Sequence, residues 1–183
     1  MAKLGRPTAA ERALRRDRVL DAAVALFAAR GFAATSLDEV AALAEVTKRT
    51  LYVDVGDKAA LFAAAVEREQ DRVRAAATDS RPVDEVAAEM VFVLLSDSAV
   101  ALHRAVIAEA PRFADLAARF YVSGPQRSID LLARSLGQDE VRAAALYSLL
   151  LGEPHRRRLL ALDPAPSRKV AAAHAASALA LLA

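Results

Sequence analysis

Between Ser36 and Asp57 the chain carries three helix starts in quick succession, and no other stretch limits its fold so tightly. Ser36-Leu37-Asp38-Glu39 is a capping box: the serine hydroxyl can accept from the amide of residue 39 while Glu39 reaches back to residue 36. The helix it opens buries Leu37, Val40, Ala41 and Ala44. Only Glu45-Val46 separates it from Thr47, which caps a further helix running to about Val55 and stopped by Gly56. Asp57 then caps a helix that Lys58 begins and that continues to about Thr78. Two short helices with so brief a break, the second opening with exposed polar groups, describe a helix-turn-helix.

The remainder is helical in pattern as well. Strand signals are almost absent, alanine is abundant and apolar residues recur at helical spacing, so the chain is expected to be all-α. Leu20, Val24 and Phe27 form a stripe on a first helix from about Ala10 to Arg30, with Gly31 as its C-terminal cap. Breaks at Ser80–Pro82, Ser96–Ser98, Pro111, Gly124-Pro125, Gly137, Gly152–Pro154 and Pro164–Pro166 divide the rest into about five more helices. With 183 residues, 55% of them hydrophobic, a sizeable core needs no staples, and the absence of cysteine excludes disulfides, thiolate metal sites and cysteine nucleophiles. The N-terminus lacks an apolar signal core and no stretch of 18 or more residues is free of polar side chains, which predicts a soluble cytoplasmic protein with no membrane partner.

The helix-turn-helix carries an electrostatic puzzle. Lys48 and Arg49 stand in the first turn of one helix and Lys58 begins the next, although a cation at a helix N-terminus costs about 0.3–1 kcal/mol. An anionic partner resolves it. Helix end, Lys48 and Arg49 would share phosphates or guanine edges in a DNA major groove, Thr50 and Tyr52 would add hydroxyls, and Lys58 would clamp a backbone phosphate. The plainer account is that these cations are solvated and the small dipole cost absorbed. The charge balance points the same way as the first account: the first 18 residues hold six basic and two acidic groups in a chain of net charge +2. Within them, Arg6 of Gly5-Arg6-Pro7 suits a minor-groove hook, or belongs to a basic tail.

Residues 31–62, GFAATSLDEVAALAEVTKRTLYVDVGDKAALF, resemble the DNA-binding segment of TetR-family transcriptional regulators. The resemblance covers about residues 12–65 and rests on Gly31-Phe32, Thr35-Ser36, Val46-Thr47, Leu51-Tyr52, Lys58 and Leu61-Phe62. It implies DNA contacts from Thr35, Thr47, Lys48, Arg49, Thr50, Tyr52 and Lys58. Three positions depart from the family pattern. Glu45 stands where glycine is usual, Asp54 where histidine or tyrosine often faces the DNA backbone, and Val55 where phenylalanine is common. Glu45 would strain a left-handed turn by about 1 kcal/mol, and Asp54 would repel phosphate. Further on, AEAPRFADLAARFY is like a segment of some members.

In the C-terminal two thirds, Met90, Val93, Ile107, Phe120 and Tyr147 offer apolar lining, with His103, Arg104 and Tyr121 as polar groups. They suit either a closed core or a pocket for a mostly apolar effector with one polar or weakly acidic group near His103 or Arg104. Glu153 to Arg158 reads as a solvated, charged kink. From Val170 to Ala183 only His174 and Ser177 are polar, and Ala143–Leu151 is nearly as apolar. Helices apolar all round need cover on two sides. A second copy meeting Leu149, Val170, His174 and Leu179 supplies it, as the resemblance also implies; an alanine-biased helix inside a monomer is the other account. No metal-ligand or nucleophile spacing appears, and no cofactor is expected.

Together these readings predict a helix-turn-helix DNA-binding domain over residues 1–57 and an effector-binding, dimerising domain over 58–183. The expected activity is transcriptional regulation at a pseudo-palindromic double-stranded operator, by repression that an effector releases. The rivals are a helical ligand-binding protein that has lost specific DNA binding, and an α-helical enzyme for which no catalytic constellation is visible.

Overall fold

In the computed structural model, which describes residues 8–76 and 81–182 (backbone alone at 69, 70 and 72–76), every regular element is a helix. The capping signals close as helix starts. Thr8 and Glu11 form a capping box that opens α1 (Ala9–Ala34), and Ser36 and Glu39 form one that opens α2 (Leu37–Leu43). Thr47 accepts from the Thr50 amide at 3.1 Å to start α3 (Lys48–Asp54), and Asp57 accepts from the Ala60 amide at 2.7 Å to start α4 (Lys58–Ala76). α5 (Val83–Leu94) and α6 (Asp97–Glu109) follow, with Ser96 capping α6.

Three expected breaks are bends instead. Gly31, with φ 78° and ψ 174°, ends the straight part of α1, and one more turn swings Phe32 into the core. Gly124-Pro125 does not separate helices: α7 (Ala114–Tyr121) passes through a π-helical turn (Val122–Gln126) into α8 (Arg127–Ser135). Pro125 lacks an amide and crowds the preceding turn, and a widened turn accommodates both effects. α9 (Glu140–Leu159) kinks at Gly152, φ 30°, ahead of Pro154, and α10 (Arg168–Ala180) closes the chain. After α4 there are six helices among the described residues, where about five were expected.

The buried residues fall into two clusters. The first gathers α1 to α4 with α6 and the start of α7 around Phe27, Phe32 and Phe62, whose ring centroids lie 4.9–5.8 Å apart. The expected stripe is there: Leu20 and Phe27 are buried, and Val24 packs beside them. The second cluster joins α5, α8, α9 and α10 around Met90, Leu132, Leu146 and Leu150, with Ala171, Ala175 and Ala178 letting α10 come close. A cut at residue 57 therefore does not follow the core, since α4, α6 and α7 pack with the first three helices.

The charged run after Gly152 is only partly solvated. Arg156 and Arg157 are exposed, but Arg158 is 7% exposed. Its guanidinium donates to the Leu95 carbonyl at 3.0 Å, to the Asp163 carbonyl at 2.6 Å and to Asp97, strapping the α5–α6 turn to the chain after α9. A buried arginine is tolerable when its donors are satisfied in this way. Among the described residues no single helix is long and apolar enough to cross a membrane. α5 and α6 reach that length together, but they bend by 64° and bury their apolar residues in the two cores.

Candidate nucleic-acid interface and internal cavity

The turn between α2 and α3 is tight. The Ala44 amide donates to the Val40 carbonyl at 2.9 Å and the Val46 amide to the Ala41 carbonyl at 2.9 Å, which forces Glu45 to φ 55°. A non-glycine residue there carries about 1 kcal/mol of strain, comparable to what one good N-cap contributes. α3 is fixed from beneath by Leu51, which is fully buried, and it turns Lys48, Arg49, Tyr52 and Val53 outward.

Each cation at a helix start has a different local fate. Lys48 pairs with Asp38 of α2 at 2.9 Å, which favours its charged form. Arg49 makes no hydrogen bond or ion pair among the described residues. Lys58 donates to the Ala33 carbonyl at 3.0 Å and lies 4.6 Å above the Phe32 ring. Burial pulls its pKa below the usual lysine range, against the opposing charges of Glu109 and Glu39. Thr47 and Thr50 share a hydroxyl hydrogen bond at 2.8 Å.

Two expectations change here. Thr35 is 2% exposed, and its hydroxyl donates to the Gly31 carbonyl at 2.8 Å and the Leu26 carbonyl at 3.2 Å, so it satisfies the end of α1 and presents nothing to DNA. Asp54 does not face outward as a bare anion. Arg15 of α1 grips it through both oxygens at 2.9 and 3.3 Å, and Arg16 donates to its backbone carbonyl at 2.8 Å. A bidentate arginine neutralises the acid that would have repelled phosphate. Neither arginine stood out in the sequence from its neighbours Arg12 and Arg18. Arg6 lies outside the described residues.

Between α4, α6, α7 and α9 lies a cavity of about 40 Å³, lined among others by Leu102, His103, Phe120, Pro125, Tyr147 and His155. His103 Nδ1 and His155 Nε2 share a hydrogen bond at 3.1 Å, with the rings stacked at 4.9 Å and Phe120 4.9 Å from His103. Burial holds both imidazoles toward the neutral form, His155 down to about 4, where the charge of His103 adds to the effect. Burial and nearby Tyr121 push the Tyr147 phenol up.

Of the expected lining, His103, Phe120 and Tyr147 are brought together and the others are not. Met90 and Val93 pack in the second core, while Ile107 and Tyr121 are each 53% exposed. Arg104 is spent on the Leu159 carbonyl at 2.8 Å and on the Arg158 carbonyl. His155 was hidden in the sequence by the charged run around it. Among the described residues no three histidine, aspartate or glutamate side chains gather as metal ligands.

The outer faces of α9 and α10 are apolar and open. Val141, Val170 and Leu181 are more than half exposed, and the small Ala173, Ala176 and Ala180 are exposed beside them. Leu149 and Leu179 are half-buried against the second core. His174 turns partly inward and donates from Nε2 to the Leu150 carbonyl at 2.9 Å.

Residues 19–65 match the family described as bacterial regulatory proteins, tetR family, and residues 83–183 match the C-terminal domain of AefR-like transcriptional repressors. A TetR-family transcriptional regulator from Mesorhizobium loti is 22% identical, with a TM-score of 0.76 over 96% of this chain and 97% of that one. The flavonoid-responsive regulator FrrA is 27% identical, with a TM-score of 0.69 over 92% and 94%. A TetR transcriptional regulator from Agrobacterium tumefaciens is 26% identical, with a TM-score of 0.65 over 91% and 93%. No curated protein matches the chain.

The histidine pair makes stability depend on pH. A folded-state pKa of about 4 for His155, below its ordinary 6.5, means that the folded form resists protonation. The contribution is full above pH 6.5 and is lost as pH falls toward 4. Thermal unfolding of the wild type should fall across that window, and His155→Gln should flatten the fall. Equal slopes in both proteins would contradict the assignment.

Proposed function

The chain belongs to the TetR family of bacterial transcriptional regulators, DNA-binding proteins, and from that premise we propose that a homodimer reads a pseudo-palindromic operator with α3 and answers to a small molecule held beside His103 and His155. One observation carries the DNA reading: the capped N-terminal turn of α3 is exposed, with Arg49 unpaired among the described residues, while Leu51 holds the helix from below. In the major groove Arg49 meets a guanine edge, Lys48 exchanges Asp38 for phosphate or base, and Thr47, Thr50 and Tyr52 donate to backbone oxygens. Arg6 enters the adjoining minor groove. Repression is supported by the family description of residues 83–183. A cytoplasmic location, where the DNA is, fits this reading.

Arg49→Ala and Lys48→Ala should each weaken specific binding by about 1–3 kcal/mol, and Thr35→Val should leave it unchanged. Fluorescence anisotropy on an operator selected from a random duplex pool measures this. Full affinity in both cation variants would reject α3 as the reading helix.

The open apolar faces of α9 and α10 support the dimer, and alanines there permit close helix approach. A two-fold protein then offers reading heads for half-sites about 34–36 Å apart. Light scattering should report a dimer for the wild type and a monomer for Val170→Glu with Ala176→Glu. A monomeric wild type at micromolar concentration rejects the proposal.

The effector must widen the cavity, because about 40 Å³ is far below the roughly 150 Å³ that accepts benzene. Two adjustable features border it, the π turn at Pro125 and the α9 kink between Leu151 and His155. Its apolar walls and neutral imidazole pair suit a flat, mostly apolar molecule with one hydroxyl or weakly acidic group. The flavonoid response of a 27% identical protein is in keeping with that class. Thermal shift should show stabilisation by planar phenols and none by sugar phosphates, with loss of the effect in His103→Ala. The reverse pattern would sink this choice of ligand.

A further inference from the structure

Two charges stand at the unfavourable ends of their helices. Lys58 is the first residue of α4, where free amides already carry positive charge, and Glu109 is the last of α6, where free carbonyls carry negative charge. Glu109 is also 6% exposed, and its Oε2 has no hydrogen-bond partner among the described residues. A buried carboxylate left in that condition is costly unless an opposite charge is near.

The packing supplies one. Lys58 lies 4.6 Å above the Phe32 ring, and Phe32 meets Phe113 edge to face at 5.5 Å. The Phe113 amide in turn donates to the carbonyl of Glu109 at 2.9 Å. A continuous stack thus joins the start of α4 to the end of α6 across the end of α1. The stack brings the end of α6 beside the start of α4, near enough for the Glu109 charge to act on the Lys58 ammonium across space, with no direct ion pair between the two among the described residues. Glu39, the other acid that acts on Lys58, is already engaged by Ser36 and Arg30. Of the two acids, Glu109 alone has unspent capacity.

We propose that Glu109 is a positioning residue for DNA binding: it holds Lys58 inward, against Phe32 and the Ala33 carbonyl, and competes with a backbone phosphate for that ammonium. This rests on the DNA-binding reading above. An attraction made in the free protein and weakened in the complex subtracts from affinity, so the acid restrains binding through the lysine. Glu109 falls in the AEAPRF segment, which the DNA-reading residues left without a role.

The test uses the full chain and a random-sequence duplex at low salt, because a phosphate contact does not depend on sequence. Glu109→Gln, a neutral side chain of the same shape, should bind about fivefold tighter than wild type. In a Lys58→Met background the same change should have no effect. Unchanged or weaker binding by Glu109→Gln overturns the proposal, and so does an equal gain in both backgrounds, which would indicate plain charge repulsion. Thermal unfolding of the four free proteins reads the pair without DNA: Lys58→Met should cost less once Glu109 is Gln. Additive unfolding temperatures overturn the pairing alone, whereas a wild type that binds no duplex overturns the DNA-binding reading beneath it.

Discussion

A seven-residue helix cannot hold its shape in water unaided, since isolated helices below about 12–15 residues are marginal. The reading face therefore depends on what grips α3. Leu51 pins its underside into the first core, Thr47 caps its start, and Arg15 and Arg16 reach from α1 to Asp54 at its end. One buried leucine and one arginine fork fix where Lys48, Arg49 and Tyr52 point. α1 is the longest helix described, and it gives that fork a rigid base.

Electrostatics inside the head follow a common pattern. Acids and bases that look misplaced on their own helices are matched across helices: Lys48 with Asp38, Arg15 with Asp54, Lys58 with the Ala33 carbonyl and the field of Glu109. The exposed pairs contribute little to stability, and the Asp38 pair is easily exchanged for a phosphate. The half-buried Arg15–Asp54 fork is the sturdier one, and it removes the main objection to DNA binding that Asp54 raised. Glu45 keeps its strain, which is of the size of a single cap.

α6 links the two halves of the molecule physically. Ala99, Leu102 and His103 line the cavity, while Glu109, six residues on and about 9 Å away along the axis, meets the DNA-reading head. The first core runs continuously from α1 through α6 to Leu116, so the head and the cavity share packed side chains. In a close-packed interior, a wider cavity requires its walls to move as units.

Helix starts, glycine stops and the helical period were legible because each acts within three or four residues. The capping box at Ser36, the Thr47 N-cap, the positive φ of Gly31 and Gly56, and the helix-turn-helix itself belong to this local class. The partners of charges were not legible. Arg15 and Asp54 are 39 positions apart, His103 and His155 are 52 apart, and Arg158 and Leu95 are 63 apart. A charged run such as Arg156–Arg158 carries no mark of which member will be buried, and Thr35 carries none of its inward turn. Sequence alone determined an all-helical chain with a capped, basic reading helix, because backbone hydrogen bonding and capping are settled by near neighbours. Tertiary packing decided which charges are solvated, which are spent inside and which histidines share a cavity, because desolvation depends on whatever distant surface folding brings alongside.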